Sequence, residues 1–150
     1  MLEQSFTKVY LKFKLNFYKR IFSRFETREA SLTAVETFCV EVIHALNKPT
    51  VNEFSRFVNI SQANAAYKIQ SLIDKGYVQK EQSKTDKREY KLLVTEKFQH
   101  YNRMSQDYIQ EVMKRMRDHF TAEEIIKLEY MLQIVDEKLM PEIVLANTFD

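Results

Sequence analysis

Glycine occurs once in this chain of 150 residues, at position 76, and proline only twice. Tight turns and sheet corners draw on those two residue types. A chain so poor in them is expected to run as long helices rather than as an all-β fold. The length suits one domain or two closely fused ones around a buried core. A composition 45% hydrophobic and 29% charged is that of a globular protein.

Bulk properties exclude more than they assign. The net charge is only +2, so any nucleic-acid face must come from local clustering. Cys39 is the single cysteine, which rules out an internal disulfide and fits a reducing cytoplasm. No apolar run approaches the roughly 18 residues of a membrane span. Lysines interrupt the first residues, MLEQSFTKVYLKFKLNF, unlike a signal peptide. A cytoplasmic protein without a membrane partner is expected. There is no glycine-rich phosphate loop, no nucleophile motif with a base and no metal cluster. His44, His100 and His119 lack the carboxylate and Cys companions of a zinc site. An enzyme, a cofactor and a metal are therefore not expected.

The stretch Ser61–Thr95, SQANAAYKIQSLIDKGYVQKEQSKTDKREYKLLVT, organises the rest. Ser61 is a good N-cap, and Gly76 suits the residue that follows a helix end. With Ala65 inward, Ile69, Leu72 and Ile73 share its side at 100° per residue. The opposite side presents Ala63, Asn64, Ala66, Tyr67, Gln70 and Ser71. An ordinary solvated face is dense in Glu and Lys; this one is small and hydrogen-bonding. Small residues permit close approach to a major groove, and Asn or Gln can bind an adenine edge with two bonds.

Two β-prone runs, 77–82 and 89–94, then flank the polar tip Ser83–Arg88, which is hairpin grammar with a tip too polar to bury. Lys80, Lys84, Lys87, Arg88 and Lys91 give the ribbon phosphate-binding charge. An Arg near such a tip can enter a narrow minor groove. The Asp86-Lys87-Arg88 spacing lets Asp86 brace Arg88 by a charge-assisted hydrogen bond.

The flanking segments read as helices. Before the ribbon, Thr33/Glu36 and Thr50/Glu53 have capping-box spacing. They open a helix with Val35, Phe38, Cys39, Val42, Ile43 and Leu46 inward, then a short one with Val51, Phe54, Phe57 and Val58 inward. The turn Asn59-Ile60-Ser61 links the short helix to the next. A first helix places Phe6, Tyr10, Phe13, Phe17, Ile21 and Phe25 in a stripe among lysines and arginines. Such a stripe can lie on an anionic membrane, but packing is the expected reading. Thr95 opens a long helix carrying Phe98, Tyr101, Met104, Tyr108, Val112, Met116 and Phe120. Thr121 and Glu124 open a last one with Ile125, Leu128, Leu132, Val135 and Leu139, which Pro141 interrupts. Burying three such stripes together, and against a second copy, predicts a twofold homodimer.

The fold expected is mainly α with a small β-hairpin wing. A winged helix-turn-helix occupies 32–95, and a helical dimerisation region comprises 1–31 and 96–150. In this arrangement the chain resembles the MarR family of bacterial transcription regulators. The resemblance lies in the LTAVE opening, Ile60-Ser61, the LIDKGYV helix end, the Asp86-Lys87-Arg88 wing and the VTEK start of the fifth helix. It implies a homodimer on a palindromic double-stranded operator, with recognition helices in successive major grooves and wings in minor grooves. Repression is the expected sign.

By matching positions it implies that Gln62, Asn64, Ala66, Tyr67 and Ser71, behind the cap Ser61, face bases or phosphates. Asp86 and Arg88 would be the wing pair, and the charge of Lys84 and Lys87 adds them to the expected wing contact. Tyr67 stands where many members carry Arg, Lys68 where Leu is usual, and Phe98 where glycine is common. Many members release DNA when a small aromatic or lipophilic effector enters a cleft. Phe13, Phe17, Phe38 and Tyr67 are the candidates to line one, although cleft and core look alike in a sequence. The alternative is a winged-helix protein-interaction module without sequence-specific DNA binding.

Overall fold

The computed structural model describes residues 1–25 and 32–145, the side chains of Arg24 and Phe25 excepted. The expected place of Phe25 in the first stripe, and positions 26–31 and 146–150 of the expected dimerisation region, lie outside the described residues. In chain order the elements are α1 (Leu2–Phe25), α2 (Ala34–Ala45), α3 (Val51–Phe57), α4 (Gln62–Asp74), β1 (Val78–Gln82), β2 (Tyr90–Val94), α5 (Glu96–His119) and α6 (Ala122–Ile134). A π-helical segment, Val135–Leu139, continues α6. The architecture is mainly helical with one two-stranded antiparallel hairpin.

The described residues fall into two compact units, one of Met1–Ser23 with Arg103–Val144, the other within Arg24–Asn102 and Leu145. In the second unit the core is built from every element. Leu32, Cys39, Val40, Ile43, Phe54, Ala65, Ile69, Leu72, Tyr77, Val78, Leu92 and Phe98 form one buried cluster. Each large side chain in it contributes about 1.5–3 kcal/mol by leaving water. Phe98 is fully buried. Its ring lies 5.2 Å from His44 and 5.7 Å from Tyr101.

Local chemistry starts the helices where the sequence says they start. Thr33 Oγ1 accepts from the Glu36 N–H at 3.2 Å, and Glu36 Oε2 accepts from the Thr33 N–H at 2.7 Å. The same reciprocal pair forms at Thr50/Glu53, with distances of 3.1 and 2.7 Å. It forms again at Thr121/Glu124, with distances of 3.3 and 2.9 Å. Each satisfies two donors left free at a helix start. Thr95 behaves differently. Its carbonyl accepts the first bond of α5 from the Gln99 N–H, at 3.0 Å. Its hydroxyl donates across to the Gly76 carbonyl, at 2.6 Å.

The inward faces depart from the sequence reading in α2 and α3. Val35 and Phe38 are 49% and 54% exposed, whereas Glu36, Thr37 and Val40 are buried. The Glu36 carboxylate is bonded to Ser71 of α4 and to Lys75 at its C-cap. Phe57, expected inward on α3, is 44% exposed. The hairpin also has an anchor with no local signal. Thr50 bridges to Lys91 in antiparallel fashion, and the Leu92 N–H donates to the Pro49 carbonyl at 2.8 Å. The strand β2 is thereby bonded on both sides.

In the first unit, Phe13 meets Tyr108 edge-on at 5.6 Å. The Arg20 guanidinium lies 5.5 Å from the same ring and donates to the Met104 carbonyl at 3.0 Å. Much apolar surface of this unit stays open. Leu2, Phe6, Val9, Tyr10 and Leu15 of α1 are more than half exposed, as are Ile126, Tyr130 and Leu132 of α6.

Candidate nucleic-acid interface

The turn between α3 and α4 is a helix stop followed at once by a helix start. Asn59 adopts φ 55°. Its N–H donates to the Arg56 carbonyl at 3.3 Å, and the Ile60 N–H donates to Ser55 at 3.0 Å. Two such bonds around a left-handed residue close a helix end, a role Asn fills second only to glycine. Ser61 then caps α4, accepting from the Asn64 N–H at 3.2 Å. Gln62 Nε2 donates to Asn52 Oδ1 at 2.8 Å, which ties the start of α4 back to α3.

Along α4, Ala65, Ile69 and Leu72 are buried, while Ser61, Gln62, Ala63, Asn64, Ala66, Tyr67 and Gln70 are exposed. Tyr67 is 77% exposed. The first turn carries no acidic residue, so the positive end of the helix dipole is not neutralised by its own side chains. Ser71 has a partner within the protein. It is half-buried, and its hydroxyl donates to Glu36 Oε1 at 2.6 Å. A carboxylate is the stronger acceptor, and that pulls the hydroxyl away from the outer face.

The far end of α4 is closed at Gly76, φ 78°. The Gly76 N–H donates to Ile73 and the Tyr77 N–H to Leu72, both at 2.9 Å. Lys97 reaches back from α5, donating to the Lys75 carbonyl at 2.8 Å while its ammonium lies 4.5 Å from the Tyr77 ring centroid. A cation at a helix C-terminus complements the dipole.

Glu36 completes this end. Its carboxylate receives Lys75 Nζ at 2.8 and 2.9 Å, besides the Ser71 hydroxyl and the Thr33 N–H. Burial alone pushes such a group up. The bonds from Lys75, Ser71 and Thr33 outweigh it and hold the carboxyl at about 2. Sequence reading assigned Glu36 only its capping role. The signal for the rest is the pair Ser71 and Lys75, spaced four apart on one helix face.

In the hairpin, Val78 pairs with Val94 through to Gln82 with Tyr90. The tip is folded by its own side chains. The Asp86 carboxylate accepts from the main-chain N–H of Arg88 at 2.9 Å, so the brace runs to the backbone. Ser83, expected to be too polar to bury, is only 7% exposed. Its hydroxyl serves Thr85 Oγ1 at 3.0 Å and lies near the Thr85 and Asp86 amides, at 3.3 and 3.4 Å. Gln82 Nε2 donates to the Lys87 carbonyl at 2.8 Å. Lys80, Lys84, Lys87 and Arg88 stand exposed, and Lys91 sits 4.0 Å from Glu53.

The effector candidates divide between the units. Phe13 and Phe17 are half-buried in the first, where Phe17 lies 6.1 Å from Tyr18; Phe38 and Tyr67 are exposed in the second. A depression of about 580 Å³ in the second unit is lined by Leu46, Asn47, Lys48, Pro49, Glu53, Arg56, Phe57 and Lys91, and thus by none of the four. Burial of Cys39 pushes its thiol up, which suppresses the reactive thiolate. Among the described residues no cluster of His, Cys, Asp or Glu is placed to hold a metal. None of their helices is long and apolar enough to cross a membrane.

Comparison with known proteins agrees with this geometry. No curated protein sequence matches the chain. Among solved structures it is similar to FabT of Streptococcus pneumoniae in complex with DNA: 18% identity, 92% of this chain and 94% of that one, TM-score 0.62. It is similar to the transcriptional regulator Tm0710 of Thermotoga maritima, with 16% identity, coverages of 89% and 90%, and TM-score 0.61. The MarR protein of Peptoclostridium difficile matches with 25% identity, coverages of 94% and 88%, and TM-score 0.53. Residues 32–90, from the start of the buried core through the wing tip, match the sequence profile of the MarR family. Over residues 32–90 the chain thus matches the MarR family, and it has the winged-helix fold of the solved regulators to which it is similar.

Proposed function

We propose that this regulator binds a palindromic DNA operator as a homodimer, reading bases with the N-terminal half of α4 and gripping the minor groove with the wing. The observation that carries the reading is one lobe in which an acid-free helix start and an exposed cationic hairpin tip are both held by dedicated caps. FabT, similar in fold, is described in complex with DNA. In this reading Gln62, Asn64, Ala66 and Tyr67 meet base edges or phosphates, with Ser61 fixing the helix start. Lys84, Lys87 and Arg88 meet the backbone and minor groove, and Asp86 holds the tip in shape.

The division of labour proposed is a reading domain over 32–95 and a dimerisation region made of the flanking helices. The open apolar side chains of α1 and α6 support it, because a solvated monomer rarely leaves so many large hydrophobics uncovered. A second copy covers them, and the twofold axis then sets the half-site spacing at about one helical turn of DNA, roughly 34–36 Å. Repression, by occupying the operator in the cytoplasm, is the mode of action proposed. Release by a small aromatic or lipophilic molecule is supported by Phe38 and Tyr67, whose rings are free to stack.

The test combines sedimentation of the purified protein with selection of bound fragments from genomic DNA. A dimer that enriches palindromes, with log affinity falling steeply against log salt, is the result expected. A monomer, or binding indifferent to salt, favours a protein-interaction module and overturns the reading.

A further inference from the structure

The recognition helix is held from behind. Most of its outward residues lie in the first two turns; besides the Gln62–Asn52 tie at its start, its side-chain anchors lie in the last. Glu36, only 9% exposed, joins both Ser71 and Lys75 to the first turn of α2 through a single carboxylate. The other ties at this end, Thr95 to the Gly76 carbonyl and Lys97 to the Lys75 carbonyl, grip main-chain atoms around the helix end. They fix where α4 stops. Ser71 and Lys75, on consecutive turns of one face, fix how it is rotated and tilted.

We propose that Glu36 is a positioning residue for base recognition: its clamp on Ser71 and Lys75 sets the angle at which Asn64 and its neighbours are presented to the operator. This rests on the DNA-reading function proposed above and deepens it. Asn64 lies seven residues from Ser71, roughly 10 Å along the helix. A tilt of roughly 6° at the clamp therefore moves the reading residues by about 1 Å. Hydrogen bonds to base edges have little tolerance for such a shift, while phosphate contacts by long, flexible cations have much more. Loosening the clamp is expected to erode discrimination between sequences and to leave general DNA affinity in place.

The experiment compares wild type, Glu36→Gln and Ser71→Ala for binding to the wild-type operator and to a scrambled duplex of the same length, at several salt concentrations. Glu36→Gln keeps the size of the side chain and removes its charge. It is expected to lower the operator-to-scrambled affinity ratio about tenfold, with the scrambled affinity and the salt slope unchanged. Ser71→Ala, which removes one bond from the clamp, is expected to lower the ratio about threefold. A Glu36→Gln protein that melts earlier yet keeps the full ratio shows a merely structural clamp and overturns the proposal. If Glu36→Gln does not fold, Ser71→Ala decides alone, and an unchanged ratio overturns it. Wild type that cannot tell operator from scrambled duplex overturns the DNA-reading function itself, a different result from variants that discriminate as well as wild type.

Discussion

The Asp86 carboxylate accepts the main-chain N–H of Arg88 at 2.9 Å, closing the wing tip on itself. Asp86 thus helps Ser83 and Gln82 shape the tip, and Arg88 is left at the exposed surface. The two residues are expected to fail differently. Arg88→Ala should weaken operator binding by about 1–3 kcal/mol and reduce the salt slope by about one charge. Asp86→Ala should cost about 1 kcal/mol through a less ordered tip and leave that slope unchanged. Titration of labelled operator at three salt concentrations separates them.

The closure of α4 makes a prediction about backbone strain. A Cβ added at Gly76 meets nothing closer than Lys97 Cδ, at 3.9 Å, so space is not the obstacle. The φ of 78° is. Gly76→Ala is expected to destabilise the protein by about 1–2 kcal/mol from conformation alone. Asn59→Gly, at φ 55°, should stay within a few tenths of a kcal/mol of wild type. Urea unfolding measures both.

Stability should fall in acid through Glu36. Its carboxyl is held at about 2 against an ordinary 4.5. A depressed acid contributes its full stability above the unfolded value and loses it as pH falls towards the folded one. The contribution at neutral pH is on the order of 3 kcal/mol and should disappear between about pH 4.5 and 2. Unfolding curves across that window should show the loss in wild type and a flatter profile in Glu36→Gln.

Glu41 behaves in the opposite sense. Burial raises its carboxyl, and the Tyr101 hydroxyl, donating at 3.3 Å, partly offsets this. A raised acid stabilises most below its unfolded value and loses that contribution as pH rises through the folded one. Tyr101→Phe should push the Glu41 carboxyl higher and cost about 1–2 kcal/mol, with the cost growing as pH rises. Carboxyl carbon NMR of Glu41 and unfolding at several pH values check the two halves.

Self-association should depend on the open apolar face of α1. Phe6 is 66% exposed, so Phe6→Glu should leave the fold of the protomer intact. It should raise the dimer dissociation constant more than tenfold and weaken operator binding with it. Sedimentation velocity over a concentration series reads this directly; an unchanged constant removes Phe6 from the interface.

The elements themselves were legible in the sequence because their causes are local. The boxes at Thr33/Glu36, Thr50/Glu53 and Thr121/Glu124 act over three residues, and the observed helices start where those boxes place them. Ser61 and Gly76 bound α4 for the same reason. What a helix presents to its neighbours is a different matter. The apolar spacing in α2 put Val35 and Phe38 inside, yet the structure buries Glu36, Thr37 and Val40. The partners of Glu36, Ser71 and Lys75, lie 35 and 39 positions away. The same holds for Ser71, drawn off the outer face of α4, and for Thr95, whose hydroxyl spans 19 positions to Gly76. Caps, turns and periodicities are short-range energies written into consecutive residues, so the chain alone determined its helices and its hairpin. Which side chains turn inward depends on contacts that exist only once distant segments meet, and the tertiary structure decided those.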